Sequence, residues 1–228
     1  MTKKRDYISE IIEKRSRLLA RADREKQYIR RVHPLVDGFR AIKSLKRAIK
    51  FRDEWLKYGA IGYIACVEGY FKMLFADLIN LGLPFSENIK KFTDISFKID
   101  SVVAIYSKQV NLGEFISHLL SIHSVSDINH HMSVIIDRDF LDFLYSEPTD
   151  VEFNPKPVKE VFPEIIPDLE VLFKLRHVFC HELAIKGKVP VRRIEKGMTA
   201  AALFMIYTEE TMQRHYFKGN GNGDNLIK

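Results

Sequence analysis

Apolar residues recur every three or four positions along most of this chain, the spacing that puts them on one face of a helix. Ile8, Ile11, Ile12, Leu18, Leu19, Ala22 and Ile29 follow it between charges and predict a helix over 5–31. The His33-Pro34 step is expected to end that helix, because a residue before proline avoids the helical region. A second helix is predicted from Phe39 to Phe51, with Phe39, Ile42, Leu45 and Ile49 on one face.

The strongest signal spans 53–81. Trp55, Leu56, Tyr58, Ile61, Ile64, Val67, Tyr70, Phe71, Leu74, Phe75 and Leu78 cover most of the circumference, which predicts a central, buried helix with its aromatic residues in the core. Asp53 is placed to cap it, and Leu81-Gly82-Leu83-Pro84 to stop it. Glu68 lies amid those apolar residues, and a carboxylate on a buried helix needs a partner.

Shorter helices are predicted at 96–107, 111–123, 126–135 and 138–145, with Asn111 and Glu114 spaced as a capping pair. Residues 146–163 carry four prolines and read as a connector. Helix resumes near Pro163 or Pro167 and runs to about Ala184. After a turn at 186–190 a last helix runs from Arg192 or Glu195 to Tyr216, with Val189 to Ile194 as a candidate extended piece. The Gly/Asn-rich tail reads as flexible. The expectation is an all-α fold: a basic helical arm over 1–52, a helical domain over 53–217 containing 86–147 as an insertion, and a tail over 218–228.

Charge changes the picture. The net charge is +6, yet residues 1–57 hold 18 Lys and Arg against 8 Asp and Glu, leaving the remainder acidic. That asymmetry favours a polyanion such as RNA, with Arg40, Lys43, Lys46, Arg47 and Lys50 as candidate phosphate contacts; a solvated basic helix face is the competing reading. No apolar run approaches the ~18–20 residues of a membrane span, and the charged start lacks an apolar signal core. These features point to a cytoplasmic protein with no membrane partner. Cys66 and Cys180 sit among apolar residues and are expected to be buried, reduced thiols.

Chemistry concentrates in Leu175-Arg176-His177-Val178-Phe179-Cys180-His181-Glu182. Arg176 and Glu182 at a solvent edge, with satisfied histidines, would make the segment purely structural. His177 and His181, four residues apart with Glu182 adjacent, have the spacing of a helical metal pair. However, Val178 stands where the general-base glutamate of that arrangement belongs, and no third ligand is evident; the consecutive His130 and His131 do not readily face one metal. The third reading is phosphodiester chemistry, in which Arg176 forks onto a phosphate and a histidine moves a proton near neutral pH. Arg176 and His181 stand about 140° apart on a straight helix, and converge through the long arginine, a kink or a second copy of the chain.

Arg176 to His181 resembles the Arg-x4–6-His motif of the HEPN superfamily (higher eukaryotes and prokaryotes nucleotide-binding). The lead-in Leu169, Leu172 and Leu175 and the final helix are similar to those domains. So is the upstream stretch from Ile64 to Phe71 that carries Glu68, with Leu74, Leu78 and Ile79. The resemblance covers roughly 53–82 and 165–215, leaving the arm and 86–147 as additions to a HEPN-like helical bundle. His177 departs from the family, where Asn or Asp is common. The resemblance implies a metal-independent endoribonuclease, without cofactor, acting as a homodimer with a composite site. In it His181 acts on the 2′-hydroxyl, Arg176 holds the scissile phosphate, and His177 orients the pair or assists the leaving oxygen. Glu68 and Glu182 support them. It also implies a toxin or antiviral-defence role, with an antitoxin or defence complex as partner. The alternative is a catalytically inactive module binding RNA, nucleotide or a partner protein. His118 and His123 read as surface or core-edge groups, and His33 as part of a turn.

Overall fold

The computed structural model describes residues 5–16, 24–46, 51–93, 95, 97–149, 155–181 and 189–217; of Glu25 and His181 it describes the backbone alone. The described residues are helical, with α1 (Tyr7–Ser16), α2 (Arg24–Ser44), α3 (Arg52–Asn80), α4 (Phe85–Asn88), α5 (Ile99–Tyr106), α6 (Leu112–Leu119), α7 (Val125–Ile136), α8 (Phe140–Ser146), α9 (Val158–Val161), α10 (Ile165–His181) and α11 (Val191–Met212). A π-helical turn, Gln213–Phe217, extends α11. No strand occurs among them beyond an isolated bridge between Pro148 and Pro157. None of the helices is long and apolar enough to cross a membrane.

Helix α3 is the axis. Leu56, Ala60, Ile64, Val67, Phe71, Leu74, Phe75 and Leu78 are fully sealed from solvent, and α2, α6, α7, α10 and α11 all pack on it. Ile11, Val32 and Phe39 from the basic N-terminal region share one core with α3, as do Phe115, Ile128 and Phe140 from within 86–147. The C-terminal stop behaves as expected, with Gly82 at φ 88. Asp53 does not cap: the N-cap is Phe51, with no side-chain hydrogen bond, and Asp53 pairs instead with Arg52 at 3.0 Å.

The largest departure from the sequence expectation is at Pro34. Helix α2 continues through it, so His33 lies on a helix and not in a turn. A proline inside a helix removes one hydrogen bond and clashes with the preceding turn, a penalty of roughly 3 kcal/mol. Packing on both sides of Pro34 offsets that. Val32 and Phe39 are buried, and a Cβ at Gly59 or Gly62 would fall 2.6 Å from Phe39 and 3.0 Å from Leu35. Those contacts set α2 antiparallel to α3. The predicted break at 33–34 and restart at Phe39 are therefore replaced by one helix ending at Ser44. Val191 to Ile194 begins α11 and is not extended.

A buried ion network joins α2, α3 and α11. The Arg24 guanidinium donates to both oxygens of Glu209 at 2.8 and 2.9 Å and also reaches Asp77; the Tyr70 hydroxyl donates to Glu209 at 2.8 Å. Burial pushes the Glu209 carboxyl upward, but the hydrogen bonds from Arg24, Gln213 and Tyr70 outweigh it and hold it below the usual range.

Elsewhere, the predicted capping box forms: the Asn111 side chain accepts from the Glu114 N–H and Glu114 reaches back to the Asn111 N–H. Helix α6 then lies hard against α3, and a Cβ on Gly113 would stand 2.2 Å from the Ala76 carbonyl oxygen. Gly113→Ala is thus expected to force the helices apart and destabilise the fold by about 2 kcal/mol in urea denaturation. Gly38, on α2 with nothing within 4 Å of its Cβ position, supplies the control. Gly38→Ala is expected to stabilise by about 0.5–1 kcal/mol.

Candidate functional site

On α10, Ile165, Leu169, Leu172, Arg176 and Phe179 recur at helical spacing and share one face. Leu169 and Leu172 are completely buried. Arg176 occupies the next position of that core-facing row, and so its side chain runs toward α3. There it meets Glu68, with Nη2 and Oε1 3.2 Å apart and each side chain about a quarter exposed. The two polar residues singled out in distant parts of the sequence are thus brought together in the seam between α3 and α10.

The pairing is incomplete. Glu68 Oε1 is sealed from solvent and accepts no hydrogen bond, since the guanidinium approaches without aiming an N–H at it. Burial pushes the Glu68 carboxyl above the usual range, further than Arg176, Lys72 and His123 pull it down. A carboxylate held this way is a burden on the fold, in contrast to Glu209.

Around Glu68 the cover over α3 opens. Ala65 is exposed and Ile61, Gly69, Lys72 and Met73 are half-buried. Lys72, one turn beyond Glu68, shares its face. On the far side of this opening, Lys14 and Arg15 of α1 and His118 of α6 lie near Lys72, and His118 Nε2 is 2.8 Å from Glu10. Burial lowers the His118 pKa, with Lys72 and Lys14 adding to the effect and Glu10 opposing it. His118 is therefore a core-edge group, as read from sequence. His123 also lines a cavity of about 710 Å³ with Lys98, His130 and His131. Lys72 was missed by sequence reasoning although its i+4 spacing from Glu68 was visible. His123 carried no such signal.

His177 is exposed on α10. His181 ends that helix, but its side chain lies outside the described residues, as does all of Glu182. Cys66 is buried as expected; Cys180 is exposed, contrary to expectation. It stands one turn beyond Arg176, in the last turn of α10. Among the described residues no three His, Cys, Asp or Glu side chains gather as a metal-ligand set.

Of the basic residues assigned to phosphate contact, Arg40 is three-quarters exposed and 3.7 Å from Asp37. Lys43 pairs with Glu195 of α11. Lys46 is exposed just past α2. Arg47 and Lys50 lie outside the described residues. Comparison of the chain with protein-family models, with curated proteins and with solved structures yields no match.

The sign of the Glu68 shift yields a test. A carboxyl with a folded-state pKa above its unfolded value of ~4.3 binds its proton more tightly in the folded chain. Its contribution to stability therefore falls as pH rises through that window. In urea titrations from about pH 4 to about pH 7, the wild type is expected to lose stability relative to Glu68→Gln. Parallel pH profiles for the two proteins would show that the carboxylate is not under this burden.

Proposed function

We propose that the chain is a metal-independent endoribonuclease of the HEPN type, acting as a homodimer in toxin or antiviral-defence biology. The observation that supports it is the placement of Arg176. A permanent cation occupies a core-facing helical position, stays a quarter exposed beside Glu68, and lies where α3 opens to solvent. Lys72 and His123 add charge or protonatable nitrogen around the same carboxylate. A planar guanidinium in a half-dry setting is suited to a phosphodiester whose charge grows during reaction.

In this reading His181 takes the proton from the 2′-hydroxyl, and O2′ attacks phosphorus. Arg176 stabilises the charge on the nonbridging oxygens. The P–O5′ bond breaks and O5′ receives a proton from His177 or water. The products are a 2′,3′-cyclic phosphate and a 5′-hydroxyl, with no change of oxidation state. Glu68 holds Arg176 in place until the phosphate competes for it, and Glu182 supports the histidines. Arg176 and His181 are about 140° apart on α10, so two copies of the helix complete one site more readily than one.

The ion pair also favours a second reading. An arginine engaged by Glu68 serves as a seam contact, and the domain then binds RNA, nucleotide or a partner protein without cutting.

Incubation of purified protein with RNA in excess EDTA separates the two. The nuclease is expected to cleave under chelation and leave cyclic-phosphate ends. Arg176→Ala and His181→Ala are each expected to lose at least ~10²-fold in rate. Equal degradation by wild type and both variants would identify a contaminant and sink the assignment. RNA binding without cleavage would establish the second reading.

A further inference from the structure

Two groups of α3 residues escape full burial on neighbouring faces: Trp55 and Tyr58, with Phe51 just before the helix, and farther on Ala65, Gly69 and Lys72 around Glu68. Leu35 of α2 packs over Gly62 between them. At the N-terminal end the exposed residues are large and aromatic, and for Trp55 and Tyr58 this runs against the sequence expectation that they would be core. Phe51 is 53% exposed, Trp55 57% and Tyr58 61%. The Trp55 and Tyr58 rings lie 6.0 Å apart at 59°, each with surface left uncovered.

Arg40, Lys43 and Lys46 bring cations to this end, with Arg40 3.7 Å from Asp37 and Lys43 taken up by Glu195. The contacts of Leu35 with Gly62 and of Phe39 with Gly59 set the antiparallel register of α2 on α3. That register brings Arg40 level with Tyr58 and Lys43 level with Trp55. Lys46 follows, exposed, toward the start of α3. The two acidic residues of the first turn are neutralised locally, Asp53 by Arg52 at 3.0 Å and Glu54 by Lys57 at 2.6 Å. Uncovered aromatic rings beside cations are the features by which proteins hold single-stranded nucleic acid: bases stack on the rings and phosphates meet the basic groups. A duplex keeps its bases stacked internally and has none to offer.

We propose that Trp55, Tyr58 and Phe51, with Arg40 and Lys46, form a stacking platform for single-stranded RNA, distinct from the Arg176 centre. The inference rests on the ribonuclease reading for its choice of RNA. Trp55 and Glu68 are thirteen residues apart on one helix, about 20 Å at 1.5 Å per residue. One strand of about ten nucleotides spans both, within the ~4–16 nucleotides of single-strand sites.

The chain contains one tryptophan, so its fluorescence reports on the platform directly. The full chain carrying Arg176→Ala is titrated with a decamer of oligouridylate, with an RNA duplex of the same length and with inorganic polyphosphate. The expected result is saturable quenching by the single strand and little by the other two. In the same background, Tyr58→Ala and Lys46→Glu are each expected to weaken binding about ten-fold. Quenching of equal size by duplex or polyphosphate, or none by the single strand, would overturn the platform. An emission shift that follows protein concentration without RNA would also overturn it, placing a second copy of the chain on this face. Cleavage by the wild type is scored separately. Cleavage without quenching removes the platform and leaves the nuclease, whereas quenching without cleavage removes the nuclease and leaves the platform.

Discussion

A 29-residue helix with apolar side chains around nearly its whole circumference must bury most of its surface against neighbours. That constraint on α3 organises the molecule. Each buried Phe, Leu or Ile contributes roughly 1.5–3 kcal/mol when removed from solvent, so every neighbour is drawn toward the same axis. The basic N-terminal helices and the short helices of 86–147 are therefore part of one core with α10 and α11. The same demand explains why α2 tolerates Pro34. Interrupting α2 there would expose the α3 surface that Leu35 and Phe39 cover.

Two carboxylates reach into the surroundings of α3, and the structure treats them differently. Glu209 receives a bidentate arginine and a tyrosine hydroxyl, the arrangement that makes a buried ion pair tolerable. Glu68 has an arginine close by but no aligned donor on its sealed oxygen. In a core built mainly for stability, the position would be filled by an apolar residue or given full hydrogen bonding. The Arg176–Glu68 pair is thus left under-satisfied at an opening in the cover of α3.

The opening beside Glu68 and the aromatic end both lie on α3, with the Leu35–Gly62 contact between them. The helix that holds the core together thus also carries the proposed catalytic and stacking surfaces. A rigid helix fixes the distance between them in a way that loops would not.

The sequence by itself determined the helical class, the central role of α3, its stop at Gly82 and the capping box of α6, because each rests on local spacing or local hydrogen bonding. Even the meeting of Arg176 with Glu68 was partly legible: Arg176 continues the Ile165, Leu169, Leu172 row, and a charge on such a row needs an opposite charge across the seam. Tertiary structure alone decided the rest. Pro34 looks like a terminator until the packing of Leu35 and Phe39 is known. Trp55 and Tyr58 look like core until it emerges that α2 passes to one side and no described helix covers the 51–58 face. Cys180 looks buried until the last turn of α10 proves to leave it exposed. Local pattern states which residues prefer burial; which of them are covered depends on where a limited number of neighbouring helices settle. On α3 that leaves aromatic rings exposed at the N-terminal end and, farther on, a partly exposed Glu68 facing Arg176 of α10.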